Sequence, residues 1–178
     1  KKQVRWAWQF PGTTHLAVRR TYPQLRDSTK MVYLTGDGGM PPAIPPDLIA
    51  KGIGKGIRAS DEEVHLANGS KIIFRSADDP NEAIKNIRNV TLASIFVDQI
   101  EEFDRDLDPE LYETWLSRLS DPRGPRKLIA AANPGPTSHF IYKRAHPDSD
   151  EREEQTRFVN VTIYDNVPPN FPESLLDP

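Results

Sequence analysis

The chain has 178 residues, with 23 Lys and Arg against 26 Asp and Glu, a formal net charge of −3, and no cysteine. A chain of this size buries about two thirds of its unfolded surface, so it can form a globular core without disulfides or structural metals. The lack of cysteine excludes a disulfide framework, a thiolate zinc site and a cysteine nucleophile. No apolar run approaches the roughly 18 residues of a membrane span. The first methionine is Met31, and the opening residues read as a helix without an N-cap, so we expect a piece of a longer chain.

Charge is distributed unevenly along the sequence. Lys and Arg outnumber Asp and Glu in residues 1–90, and the reverse holds in residues 91–178. This pattern indicates either an anion-facing half followed by an acidic half, or two solvent faces of different charge.

Periodicity and turn residues predict four features in the first half of the chain. In chain order they are a helix Lys1–Phe10, a buried strand Thr14–Arg19, a helix Tyr22–Val32, and a Gly- and Pro-rich loop Gly36–Gly56 with one helical turn near Leu48. Next come Glu63–Ala67 and Lys71–Arg75, which flank Asn68-Gly69. Because Asn and Gly tolerate positive φ, this arrangement predicts a β-hairpin.

The second half predicts further alternation of helices and strands. In chain order we expect a helix from Asp79-Pro80 to about Ile87, a strand Ser94–Val97, a helix from Asp108-Pro109, a buried strand Leu128–Ala132, a helix His139–Ala145 and a strand Phe158–Tyr164. Continuous apolar strands separated by helices are typical of an α/β fold with a mostly parallel sheet covered on both faces.

Polar residues follow two of the predicted inner strands. Asp98 ends the strand Ser94–Val97, and Asn133 follows Leu128–Ala132. Ligands of such sheets collect at the carboxyl ends of the strands, so we expect both side chains at that edge. A carboxylate there can associate with a nucleotide-bound Mg²⁺, although an Asp in this place also caps helices.

Two more acids lie close to Asp98 in sequence. Glu101 and Glu102 are within one helical turn of it, where a carboxylate can orient the attacking water of a phosphate hydrolysis. The alternative is favourable negative charge at a helix N-terminus. Asn133 can hydrogen-bond a γ-phosphate or its attacking water, or form an ordinary Asn-Pro turn.

Several short segments together resemble the ATPase domain of phage terminase large subunits, over roughly Thr14 to Asn166. In chain order these segments are Val18-Arg19-Arg20-Thr21, Leu25-Arg26-Asp27-Ser28, Asn68-Gly69-Ser70-Lys71-Ile72-Ile73-Phe74, Ile87-Arg88, Ile95-Phe96-Val97-Asp98 and Ala132-Asn133-Pro134. The resemblance implies a three-layer P-loop NTPase-like fold, with residues 1–166 as a partial ATPase domain. Residues 167–178 would begin a linker toward a nuclease domain.

The resemblance also implies roles for the residues at the strand ends. Asp98 would be the Mg²⁺-associated carboxylate of the Walker B element. The family usually places a catalytic Glu directly after it, whereas this chain has Gln99, which cannot act as a base. Glu101 and Glu102 are the possible substitutes, with Glu102 slightly preferred. Asn133 would belong to the motif that couples γ-phosphate loss to domain movement.

Three arginines complete the expected site. Arg88 resembles an arginine finger that reaches the ATP of a neighbouring subunit, where a guanidinium stabilises charge on the transferred phosphoryl group. Its alternative is a surface ion pair. Arg19 and Arg20 are expected to contact the nucleotide or DNA, and charges at the end of a surface strand explain them nearly as well.

One element of such a site is missing from the sequence. No segment matches G-x-x-x-x-G-K-[ST], and Gly52–Gly56 lacks the first Gly and the final Ser or Thr. The resemblance places this phosphate-binding loop upstream of residue 1.

The function implied is ATP hydrolysis, with ATP and Mg²⁺, coupled to translocation of double-stranded DNA into a procapsid in the bacterial cytoplasm. Implied partners are double-stranded DNA, the portal protein, the small terminase subunit and further copies in a ring, with no membrane. Two alternatives remain open. One is a helicase-like ATPase of another family, and the other is a non-catalytic DNA-binding or assembly module with a degenerate ATPase fold.

Overall fold

A computed structural model describes residues 1–52, 56–103, 108–133 and 135–159. The chain forms two compact units, Lys1–Gly135 and Pro136–Pro178. The predicted boundary at residues 166 and 167 lies outside the described residues and stays a prediction.

The first unit is built on a six-stranded sheet with the order β2-β3-β4-β1-β5-β6. Its strands are β1 (Thr14–Arg19), β2 (Ile57–Arg58), β3 (Glu63–His65), β4 (Lys71–Ser76), β5 (Ser94–Val97) and β6 (Lys127–Ala130). Strands β4, β1, β5 and β6 are parallel to one another, while β3 pairs antiparallel with both β2 and β4. The mostly parallel sheet and the hairpin are therefore confirmed.

Helices connect these strands. They are α1 (Lys2–Gln9), α2 (Tyr22–Gln24), a π-helical turn (Leu25–Thr29), α3 (Lys30–Leu34), α4 (Pro80–Ile87), α5 (Asp108–Arg118) and α6 (Phe140–Ala145). Short 3₁₀ turns lie at Pro46–Leu48, Ala59–Asp61 and Ile100–Glu102. The predicted helix Tyr22–Val32 is present, but its middle widens into a π turn that the sequence pattern does not reveal.

The hairpin turn also holds the end of α1. Gly69 has φ 85°, a conformation that glycine adopts without a Cβ penalty. The amide of Asn68 donates to the carbonyls of Ala7 and Trp8 at 2.8 and 2.9 Å. These bonds satisfy carbonyls in the last turn of α1, where the helix has no partners of its own.

The core lies on both faces of the sheet. On one face, Val4 and Ala7 of α1 and Tyr33 of α3 pack with Ala17 and Phe74 of the central strands. Strand side chains alternate between faces, so Leu16 and Val18, which are buried, belong to the opposite face. Helices α4 and α5 pack on each other and contribute further buried residues: Ile84, Ile87, Leu111 and Trp115.

A row of buried polar groups crosses β1. The His15 ring lies between the Thr13 hydroxyl at 2.8 Å and the Ser94 hydroxyl at 2.7 Å. Gln3 of α1 donates to the Leu16 carbonyl at 2.8 Å and to the Ser94 hydroxyl at 3.3 Å. Burial lowers the pKa of His15 to about 4, only partly opposed by Asp121. This histidine is therefore neutral at physiological pH.

Two sequence-based predictions need correction. The strand predicted at Leu128–Ala132 is β6, Lys127–Ala130, and it is not buried, because among the described residues it lies at the end of the sheet and pairs with β5 alone. The short edge strand β2 was not predicted, since two residues are too few for a period-2 pattern. Of the strand predicted at Phe158–Tyr164, Phe158 and Val159 are in no strand, and residues 160–164 lie outside the described residues.

The second unit contains α6, which begins after His139. The His139 ring accepts from the backbone N–H of Ile141 at 3.2 Å and so caps the helix. Ion pairs join α6 to the segment that follows it, between Arg144 and Glu153 at 2.9 Å and between Lys143 and Glu151 at 2.6 Å. In the described part of the whole chain, every helix is too short or too polar to cross a membrane.

Candidate functional site

The carboxyl ends of β1, β5 and β6 meet at one edge of the sheet. The backbone pairing continues one residue past each strand: Asp98 N–H donates to the Val18 carbonyl, and Ala131 N–H donates to the Val97 carbonyl, both at 2.9 Å. Asp98 therefore stands between the tips of β1 and β6. The structure also places Asn133, two residues after Ala131, at this edge.

The chain turns sharply after Asp98. Gln99 has φ 51° and ψ 61°, in the left-handed region, and the 3₁₀ turn Ile100–Glu102 follows. Ile100 N–H donates to the Ala131 carbonyl at 2.9 Å, which holds the turn against the end of β6. A left-handed conformation costs a residue with a Cβ roughly 1 kcal/mol, so the position of Glu101 and Glu102 is maintained against local strain.

Arg19, the last residue of β1, links Asp98 to Glu102. Its Nη1 donates to Asp98 Oδ2 at 2.9 Å, and its Nη2 donates to Glu102 Oε1 at 3.2 Å. The Arg19 side chain is 8% exposed, against 20% for Asp98 and 25% for Glu102. Since the guanidinium is the most buried of the three charges, it is the centre of this cluster.

Two neutral side chains support the same carboxylates. The Thr29 hydroxyl donates to Asp98 Oδ2 at 2.6 Å, and the Gln24 amide donates to Glu102 Oε1 at 3.2 Å. Gln24 also completes a capping box with Thr21 at the start of α2. Both contacts were missed by sequence reasoning. A capping box can be recognised from Thr21-x-x-Gln24, but the contact of Thr29 depends on the π turn, which has no sequence signal here.

Glu101 faces away from this cluster. Its Oε1 accepts from the Asn133 amide at 2.9 Å, so it is held from the β6 side of the site. The two glutamates that the sequence offered as alternative acids are thus separated by the geometry of the turn.

Two carboxylate oxygens at this edge lack a donor. Glu101 Oε2 and Glu102 Oε2 are buried, and neither has a hydrogen-bond partner in the part of the chain that the structure describes. A buried anionic oxygen without a donor is costly unless a cation or a water molecule satisfies it.

Asp98, Glu101 and Glu102 are the carboxylates at this edge that could hold a hydrated Mg²⁺. No group of three or more His, Asp or Glu side chains with metal-binding geometry occurs among the described residues. Mg²⁺ keeps most of its waters and needs only one or two carboxylates, so the arrangement suits it better than a cation that requires a full protein cage.

The other two arginines differ in position, because Arg20 lies beside this cluster and Arg88 lies away from it. The Arg20 guanidinium stacks over the Phe103 ring, with 5.5 Å to the ring centroid. Arg88 is exposed and follows α4, and its carbonyl accepts from the Arg118 guanidinium at 2.6 Å. Because Leu92, just before β5, also bonds to Arg118, Arg88 lies toward the amino ends of the parallel strands. It does not share an edge with Asp98.

No segment of this sequence matches the phosphate-binding loop pattern. Of its nearest imitation, Gly52–Gly56, residues 53–55 lie outside the described residues. The described residues thus provide carboxylates at the carboxyl edge of the sheet, and the sequence contains no match to the phosphate-loop pattern.

A parallel sheet with carboxylates at its carboxyl edge defines the chain as an α/β protein of the kind that binds ligands at strand ends. A family model described as phage terminase large subunit matches residues 55–174. The chain therefore belongs to the phage terminase large subunit family, which gives it a role in packaging phage DNA. No curated protein matches the chain significantly. The matched segment contains Asp98, Glu101, Glu102 and Asn133, whereas Arg19 precedes it.

Proposed function

We propose that this chain contains the hydrolytic edge of a P-loop-like ATPase that drives double-stranded DNA into a procapsid. The observation that carries the proposal is the position of Asp98 at the carboxyl end of β5, beside Glu101 and Glu102, in a member of the terminase family.

In this function Asp98 and Glu102 have different tasks. Asp98 would hold Mg²⁺, which when bound neutralises charge on the phosphates of ATP. Glu102 Oε2, which lacks a donor, would orient the attacking water and accept its proton. The bonds from Arg19 and Gln24 to Oε1 leave that second oxygen available.

Asn133 would change its hydrogen-bond partner according to whether the γ-phosphate is present. It lies next to Glu101 at the end of β6, and an amide there can exchange its bond to a carboxylate for one to phosphate or water. Movement of this residue on phosphate release would pass to the segment after β6, which supports the coupling role implied by the resemblance.

Arg88 would act between subunits. It is exposed and remote from Asp98 within its own chain, so a role as arginine finger requires the ATP of a neighbouring copy. This supports a ring around DNA, with the portal protein and the small terminase subunit as further partners.

A second candidate is a non-catalytic module that has kept the fold. Gln99 in place of the usual Glu favours it, as does the ion pair that already occupies Asp98. A helicase-like ATPase of another family is disfavoured by the family match.

The test is Asp98→Ala in the intact protein, with Mg²⁺-dependent ATP hydrolysis measured. We expect hydrolysis to fall to background. The matched control is Asp27→Ala, because Asp27 is an exposed carboxylate paired with Arg26. This control should retain turnover. Near wild-type hydrolysis by the Asp98 variant would overturn the assignment and favour the non-catalytic module.

A further inference from the structure

The charges at the carboxyl edge are arranged around a buried cation of the protein itself. Arg19 bridges Asp98 and Glu102, and it is the least exposed of the three side chains. Two carboxylates that bond to the same guanidinium would repel each other without a positive charge between them. In the structure that charge is the guanidinium.

The Asp98 oxygen that accepts from Arg19 also accepts a second hydrogen bond. Asp98 Oδ2 accepts from Arg19 at 2.9 Å and from the Thr29 hydroxyl at 2.6 Å. A divalent cation that takes this oxygen has to displace at least one of these donors. Of the two donors, Arg19 carries a positive charge, which repels the incoming cation.

We propose that Arg19 is a positioning residue that occupies the acidic site when no divalent cation is bound and releases Asp98 Oδ2 when one binds. The inference rests on the proposed function, in which Asp98 is the Mg²⁺-associated carboxylate. It differs from the sequence-based expectation that Arg19 contacts the nucleotide.

The remaining contacts allow such an exchange without loss of the site. Thr29 holds Asp98, so Asp98 keeps a neutral donor when the guanidinium releases Oδ2. Glu102 keeps its bonds from Arg19 Nη2 and from Gln24. Arg19 Nε is buried and lacks a partner among the described residues. The guanidinium is therefore not fully satisfied in its present position, which lowers the cost of its movement.

The test measures divalent-cation binding to the nucleotide-free intact protein, with Mn²⁺ as a paramagnetic substitute for Mg²⁺. In Arg19→Gln the competing charge is removed, and one unit charge at contact distance in a partly buried site corresponds to at least about tenfold in affinity. We expect Mn²⁺ to bind about tenfold more tightly, and the double variant Arg19→Gln with Asp98→Asn to lose this gain.

Hydrolysis should change in the opposite direction. Without Arg19, Glu102 keeps only its bond from Gln24, so we expect kcat to fall at least tenfold even at saturating Mg²⁺. A purely structural role for Arg19 predicts that both properties weaken together. Unchanged or weaker Mn²⁺ binding by a folded Arg19→Gln protein overturns the proposal.

A second measurement uses the wild-type chain and does not depend on whether the variant folds. The Nε–H resonance of Arg19 should shift on addition of Mg²⁺ in an NMR titration. Arg123, which pairs with Asp121 at 2.8 Å away from the strand tips, is the internal control and should not move. If the chemical shift of the Arg19 Nε–H does not change when Mg²⁺ is added, the proposal is overturned.

The two proposals fail in different ways. Tighter Mn²⁺ binding in Arg19→Gln without ATP hydrolysis by any form of the protein would support the Arg19 exchange and refute the ATPase. If hydrolysis requires Asp98 but the Mn²⁺ affinity is the same with and without Arg19, the ATPase is supported and the Arg19 exchange is refuted.

Discussion

Glu101 and Glu102 are adjacent in the chain, yet their carboxylates bond to opposite sides of the site. Glu102 is held by Arg19 at the end of β1, and Glu101 by Asn133 beyond the end of β6. The turn that separates them begins at Gln99, which the sequence marks only as a departure from the family pattern.

This separation predicts unequal effects of removing the two charges. A positioned base contributes about 10²-fold or more to proton transfer. We expect Glu102→Gln to lower kcat for ATP hydrolysis by at least that factor, and Glu101→Gln by less than about tenfold. The two variants are matched controls for each other. The reverse ranking would move the role of the base to Glu101.

Asn133 is expected to matter for coupling more than for chemistry. We predict that Asn133→Ala lowers the DNA length packaged per ATP hydrolysed, while the hydrolysis rate stays within about tenfold. Both quantities would be measured in one packaging reaction. Equal losses in packaging and hydrolysis would show that Asn133 serves the chemical step instead.

A role of Arg88 between subunits predicts complementation. Arg88→Ala and Asp98→Ala proteins should each be inactive alone. Mixed rings should recover part of the hydrolysis, because an intact Arg88 of one copy then meets an intact Asp98 of the next. Arg26→Ala, at an exposed arginine, should be active alone. Full activity of Arg88→Ala alone would refute the arginine-finger role.

The left-handed Gln99 predicts a gain in stability on substitution by glycine. Relief of the φ 51° conformation, less the added entropy of the unfolded chain, amounts to about 0.5–1 kcal/mol in the free energy of unfolding. Urea denaturation measures the change. Gln99→Ala keeps the Cβ and should not be stabilised. A loss of stability in Gln99→Gly would mean that contacts of the Gln side chain outweigh backbone strain.

The buried His15 predicts a specific loss of stability in acid. Its pKa is about 4 in the folded chain and about 6.5 when unfolded, so the unfolded chain takes up a proton first as pH falls. Stability from the neutral ring is complete above pH 6.5 and is lost progressively toward pH 4, by roughly 3 kcal/mol in all.

The matched variant for this effect is His15→Asn, whose amide can still meet Ser94 but does not titrate. Urea unfolding of both proteins across this pH range isolates the contribution of the ring. A pH dependence that is the same in both proteins would contradict the assignment to His15.

Local patterns sufficed for much of the fold. β1 and β5 have the bounds that were predicted, and α4 follows its Asp79 cap as expected, because apolar runs and caps are properties of a few neighbouring residues. Burial of β6 was predicted wrongly, since position within the sheet depends on strands far away in sequence. Asp98 and Asn133 were predicted at one edge of the sheet because the carboxyl ends of parallel strands lie together.

Other parts of the site could not be predicted. The contact of Arg19 with Asp98 joins residues from two strands whose pairing the sequence does not specify. Gln is not among the residue types that favour positive φ, so the sequence does not predict the turn at Gln99 that separates the two glutamates. The roles of these residues in hydrolysis remain predictions of the family resemblance.

The π turn between α2 and α3 makes the site sensitive to chain length as well as to side chains. A π turn holds one residue more than an α turn. Deletion of one residue within Leu25–Thr29 would remove this extra residue and restore a regular helix. Residues after the turn would keep their faces, so Tyr33 would still donate to Gln3 as it does now at 2.7 Å. Thr29 lies within the turn, so its contact with Asp98 would be lost. A single-codon deletion at this point would therefore disrupt the acidic site while it spares the core beneath it.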